Sequence, residues 1–189
     1  MLLDALRSLD FDADLEREAM EQIGDGIAAL FDYRGFEIEI PRDRIGLLVA
    51  SDNAGTATSV KFWADALRTG VGLASPELFP WCLANAPCGA LARRFAITGP
   101  NATLLGEADA LRAALDTSAD LFAQGHIDSA IIVASCFAAD GQPGRAIALR
   151  LRQDDGAQDG VGLVALTQAC AAPSLRAAID RLGRLLEAG

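Results

Sequence analysis

Two stretches of this sequence, Ile45-Gly46-Leu47-Leu48-Val49-Ala50 and Ser129-Ala130-Ile131-Ile132-Val133-Ala134-Ser135, run without polar alternation. A strand with this pattern has to be covered on both faces, as parallel strands packed between two helix layers are. Helical patterns surround both. The first 35 residues read as helical, with Asp12 or Asp14 as N-cap, Leu15, Ala19, Ile23, Ile27, Leu30 and Phe31 at helical spacing, and Gly35 past the end. Val60, Trp63, Ala64 and Leu67 form one face of a helix that Gly70 stops, and Glu107 to Gln124 buries Leu111, Leu115, Ala119 and Phe122 before Gly125. Ser75-Pro76 and Asn85-Ala86-Pro87 each open a short helix, and Ser174 caps a last one carrying Leu175, Ile179, Leu182 and Leu186.

The remaining strand signals are shorter. Phe36 to Ile40 alternates as a half-exposed strand, and Ala102 to Leu105 is a short apolar strand after the Thr98-Gly99-Pro100-Asn101 turn. Ile147, Leu149 and Leu151 alternate with Ala148, Arg150 and Arg152, which reads as an antiparallel strand with one wet face, at or near a sheet edge. Val161 to Thr167 reads as a final strand. Strand and helix in alternation give an α/β sandwich with right-handed crossovers, expected to be a single domain over residues 1–189.

Charge and composition exclude several functions. Sixteen Lys and Arg against 26 Asp and Glu leave a net charge of −10, which repels nucleic acid and anionic lipid. No apolar run reaches the ~18 residues of a membrane span, and Met1 to Asp14 carries no basic leader, so the expectation is a cytoplasmic protein. Cys82, Cys88, Cys136 and Cys170 are scattered with no C-x-x-C pair, so neither a metal nor a cofactor is expected. His126, the only histidine, sits in Gly125-His126-Ile127-Asp128 and reads as a solvated turn residue.

Five ordered segments carry a family resemblance: Arg44-Ile-Gly-Leu-Leu-Val-Ala50, Ser75-Pro-Glu-Leu-Phe-Pro80, Leu83-Ala-Asn-Ala-Pro87, Phe95-Ala-Ile-Thr-Gly-Pro-Asn101 and Gly125-His-Ile-Asp-Ser-Ala-Ile-Ile-Val133. Together, over Phe11 to Leu151, they resemble the N-terminal half of the β-ketoacyl-acyl carrier protein synthases. The resemblance implies a thiolase-like half-domain, α/β, with a mixed, mostly parallel sheet flanked by helices. In that family the segment is one half of a duplicated five-layer enzyme, and the Gly-Pro-Asn turn leads into a strand near the dimer two-fold.

The departures bear on function. The family's nucleophilic Cys lies seven residues after that Asn, at the start of a helix whose positive end favours thiolate. Here that count reaches Ala108, flanked by Glu107 and Asp109, which read as ordinary helix-start acids and would oppose a nearby thiolate. The family's two catalytic histidines come from its second half, which has no counterpart in this sequence. The family's glycine-rich first strand is also not found ahead of the first helix, so the sheet is expected either to lack an edge strand or to recruit Phe36 to Ile40.

What the resemblance implies is a non-catalytic ketosynthase-like accessory subunit of fatty acid or polyketide-type biosynthesis, analogous to a chain-length factor. Its expected partners are a second copy of itself or a full-length ketosynthase, with an acyl carrier protein as a further partner, because a half-duplication bares an apolar face. The alternative is an acyltransferase or thioesterase using Cys136, which follows a strand's carboxyl end, or the Glu107 or Asp109 carboxylate. Trp63, Phe79 and Trp81 read as core aromatics, with the lining of an acyl tunnel as their functional alternative.

Overall fold

The computed structural model describes residues 2–11, 15–33, 40–138, 142–152, 161–162, 166–168 and 170–187. Both uninterrupted apolar runs are strands: β2 (Ile45–Ser51) and β4 (Ser129–Cys136) pair in parallel, and every residue of both is buried. β3 (Asn101–Leu105) lies parallel on the outer side of β2 at the sheet edge. On the other side of β4 come β5 (Gly144–Arg152), β1 (Leu2–Phe11) and β6 (Val161–Gly162), each antiparallel to its neighbour. The order is β3-β2-β4-β5-β1-β6, so β1 to β4 point one way and β5 and β6 the other.

Alternation of side chains along β2 and β4 splits the core in two. Leu48, Ala50, Ile132 and Ala134 pack with Leu111 and Leu115 of α4 (Ala108–Ala123) and Ile179 and Leu182 of the last helix, α5 (Leu175–Glu187). Ile45, Leu47, Val49, Ile131 and Val133 pack instead with Ile23 and Ile27 of α1 (Glu16–Tyr33) and Leu91 of α3 (Ala86–Arg94). Each of the Leu, Ile and Val side chains contributes about 1.5–3 kcal/mol on leaving water. At the amino ends of β2 and β4, Arg44 grips both carboxylate oxygens of Asp128 at 2.6 and 2.5 Å and donates to the Gly125 carbonyl at 2.8 Å. The Arg44 hydrogen bonds hold the Asp128 carboxyl below its usual range. His126 is exposed in this turn, as read from sequence.

Four expectations need correction. The N-terminal helix begins at Glu16, and the residues read as its lead-in form strand β1; Leu2–Phe11 alternates as well as it repeats helically, and pairing along β5 decides for the strand. The sheet thus has a strand ahead of α1, while Phe36 to Glu39 lie outside the described residues. β5 is antiparallel as expected but interior, because β1 covers its outer side; Ala146 and Ala148 belong to the core. The final strand is described only at Val161–Gly162, and residues 166–168 form a helical turn.

The fourth correction concerns α2 (Thr56–Thr69). Val60, Trp63 and Leu67, its apolar stripe, are 66%, 56% and 83% exposed, and the residues it buries are Thr58 and Ala66. The helix packs on the segment 71–82 rather than lying flat on the sheet, with Phe62 against Phe79 at 5.8 Å between ring centroids. Glu16, fully buried at the start of α1, anchors this arm. Its carboxylate accepts the Ala57 and Thr58 amides at 3.0 Å each and the Thr58 hydroxyl, which fills orphan donors at the amino end of α2. Gly55 is needed just before it: its φ is +81°, and a Cβ would stand 2.7 Å from the Cys82 carbonyl oxygen.

Candidate functional site

The carboxyl ends of β2 and β4 and the start of α4 meet at one rim of the sheet. The chain leaves β2 through Asp52 and Asn53, and leaves β4 through Phe137. The Asn53 side chain ties the two exits together: its amide donates to the Phe137 carbonyl at 3.2 Å and its oxygen accepts the Phe137 amide at 3.0 Å. The loop after β3 joins the same rim, with the Gly106 amide donating to the Ser51 carbonyl at 3.0 Å. Glu107 is the N-cap residue of α4, and Ala108, buried, is its first helical residue. Glu107 and Asp109 are exposed. A helix start turned to a strand-end rim is a place where backbone amides stabilise an anion; at Ala108 the side chain there is a methyl group.

Cys136 belongs to this rim as the last residue of β4, not beyond it, and is buried. Burial pushes its thiol far up, and the negative charge of the Asp52 carboxylate adds to the rise, as does Glu107; Arg176 pulls the other way. A thiol held protonated in this way is not an activated nucleophile. Cys88 donates to the Leu47 carbonyl at 3.7 Å and burial raises it to about 11, and Cys170 is likewise raised to about 11 by burial. Cys82 alone of the four is not fully buried. Iodoacetamide at pH 8 is therefore expected to label Cys82 first, with Cys136 modified only on unfolding, an order that peptide mass mapping reads directly.

Sequence reasoning placed Glu107, Ala108 and Asp109 at one helix start and Cys136 after a distant strand, and the fold brings the two segments to one rim. It missed Asp52 and Asn53; their signal is a polar pair directly after a fully apolar strand. It also placed Trp63 and Phe79 in the core, whereas both are 56% exposed on the α2 arm, and Trp81 is half-buried at the junction of α1 and α3. Among the described residues no cluster of three or more His, Cys, Asp or Glu is placed to hold a metal, and no helix is long and apolar enough to cross a membrane.

A mixed sheet between two helix layers, with a helix starting at the carboxyl rim of its parallel strands, makes this a thiolase-type, ketosynthase-like fold. No family model and no curated protein matches the sequence. Solved structures do match. The ishigamide ketosynthase/chain length factor is 19% identical, covers 78% of this chain and 45% of that chain, and superposes with a TM-score of 0.58. The ketosynthase ApeO in complex with its chain length factor ApeC from Xenorhabdus doucetiae gives 15% identity over 77% of this chain and 59% of that chain, with a TM-score of 0.56. The type II polyketide synthase complex AntDE:AntF, an acyl-carrier protein with its ketosynthase bound to the hexaketide, gives 12% identity over 75% and 48%, with a TM-score of 0.61. The chain thus spans about half the length of the solved structures it matches.

Proposed function

We propose that this chain is a non-catalytic, ketosynthase-like subunit of fatty acid or polyketide-type acyl-chain biosynthesis that works by pairing with a full-length ketosynthase, as a chain length factor does. The observation that carries the reading is Ala108 at the first position of α4, where the resemblance calls for the nucleophilic cysteine. Cys136 offers no substitute, being buried and held protonated beside Asp52. The matching structures, named as ketosynthases with chain length factors or carrier protein, support the partner class.

The α2 arm supports pairing on physical grounds. Val60, Trp63, Leu67, Val71, Leu73, Phe79 and Leu83 are each more than half exposed. At ~100 Å² of exposed side chain each, they present on the order of 700 Å². That total approaches the ~800 Å² that each side of a stable interface buries. β3 adds an open sheet edge ending in Leu105, 58% exposed, along which a second strand can pair.

Co-expression of the tagged chain with a full-length ketosynthase from the same cell, followed by size-exclusion chromatography with light scattering, tests the reading. A one-to-one complex is the expected result. A chain that stays alone, or that forms only a self-dimer in the presence of the ketosynthase, would overturn it.

A further inference from the structure

A groove lies on the α1 and α3 side of the sheet, away from the start of α4. It is an open depression between α1 and α3, with Trp81 along its wall and about 240 Å³ of space. Met20 and Leu91, both buried, form its apolar floor. Arg17, Glu21 and Arg94 stand at its mouth. A smaller recess of about 40 Å³, reaching Leu15, Leu78 and Glu77, continues past Arg17 and Trp81.

The two guanidiniums differ. Arg94 is committed to protein partners: it donates to the Glu21 carbonyl at 3.1 Å and pairs with Asp25 at 2.5 Å. On the α1 side it occupies the space that Gly24 leaves open, where a Cβ would stand 2.5 Å from the guanidinium. Arg17 is exposed and has no ion pair or hydrogen bond among the described residues. The mouth therefore offers one uncommitted guanidinium above an apolar floor and an indole wall.

We propose that this groove binds a short aliphatic carboxylate, with its chain on Met20, Leu91 and Trp81 and its head on Arg17. A cavity of 150 Å³ holds a benzene ring, so about 240 Å³ admits roughly ten heavy atoms, the size of octanoate. Bidentate geometry makes arginine the cation best matched to a carboxylate. Glu21 lines the groove and Glu77 the smaller recess, and both repel an anionic head, which leaves Arg17, lining both, as its seat. The site belongs to this chain alone and stands whether or not the chain pairs with a ketosynthase.

The protein carries its own reporter. It has two tryptophans, and Trp63→Phe leaves Trp81 as the sole one. Titrating that variant with octanoate, 1-octanol and octylammonium is expected to give saturable changes in Trp81 emission, with octanoate tightest and at least tenfold tighter than octylammonium. Arg17→Gln in the same background should bring octanoate down to the level of 1-octanol. Ala90→Phe, which fills the groove from α3, should abolish all three responses while circular dichroism stays unchanged. Absence of a saturable response to octanoate, tighter binding of octylammonium, an octanoate affinity unmoved by Arg17→Gln, or a response surviving Ala90→Phe would each overturn the proposal.

Discussion

Replacing Glu16 by alanine is expected to cost about 2–4 kcal/mol of stability, the largest loss anticipated from any single charged residue in the chain. The substitution leaves two backbone amides and the Thr58 hydroxyl at the start of α2 without an acceptor. Each buried donor left unsatisfied costs about 1–3 kcal/mol, and water entering the gap offsets part of the sum. Glu16 is itself fully buried, so its charge faces the positive end of α2 without solvent screening. Glu16→Gln should cost less, because one oxygen still accepts while the amide is turned against a donor. Urea denaturation midpoints at a constant m-value measure both. A Glu16→Ala protein within 0.5 kcal/mol of the parent would show that α2 is held by other means. Limited proteolysis should cut the variant's arm between α2 and α3 well before the sheet opens.

The second large effect concerns association rather than folding. Leu67→Asp places a carboxylate on the most exposed apolar side chain of α2, at 83% exposure, so the free chain should unfold within about 0.5 kcal/mol of the parent. If this face is buried against a ketosynthase, the same charge is desolvated without a partner. Complex formation should then weaken at least a hundredfold, consistent with a loss of about 3 kcal/mol or more. Trp63→Ala should behave similarly, since exposed tryptophans are the residues most often decisive at interfaces. Glu18→Lys, on an exposed site of α1, serves as the control and should leave the complex intact. A complex that forms equally well with Leu67→Asp would remove the α2 arm from the interface.

What the sequence disclosed follows from how burial marks a chain. β2 and β4 are legible because strands covered on both faces leave no polar position, and α4 because Leu111 and Leu115 recur where a helix buries one stripe. The α2 stripe was equally legible as a helix and misleading as to its surroundings. Periodicity reports that a face is apolar and not what covers it, and here no described segment does. β1 failed for a different reason: Leu2–Phe11 fits both periods, and the choice is made by β5, more than 130 residues away in sequence. The interior place of β5 was hidden with it.

The candidate rim was legible in its parts. Ala108 came from counting along a family motif, and Cys136 from the end of an apolar strand. Their meeting at one rim depends on the parallel register of β2 with β4 and on the Asn53 ties to Phe137. Register is a tertiary quantity that local pattern does not carry. The buried carboxylate of Glu16 had no sequence signature either, since an acid at the first turn of a helix is ordinary and only the approach of α2 makes it a cap for another helix.

The most direct test is an intact-mass measurement on a mixture of this chain and a full-length ketosynthase after exposure to an acyl thioester. The account predicts an acyl adduct on the ketosynthase and an unaltered mass for this 19.8 kDa chain, whether alone or in the complex. A stoichiometric adduct on this chain that disappears in Cys136→Ala would contradict it.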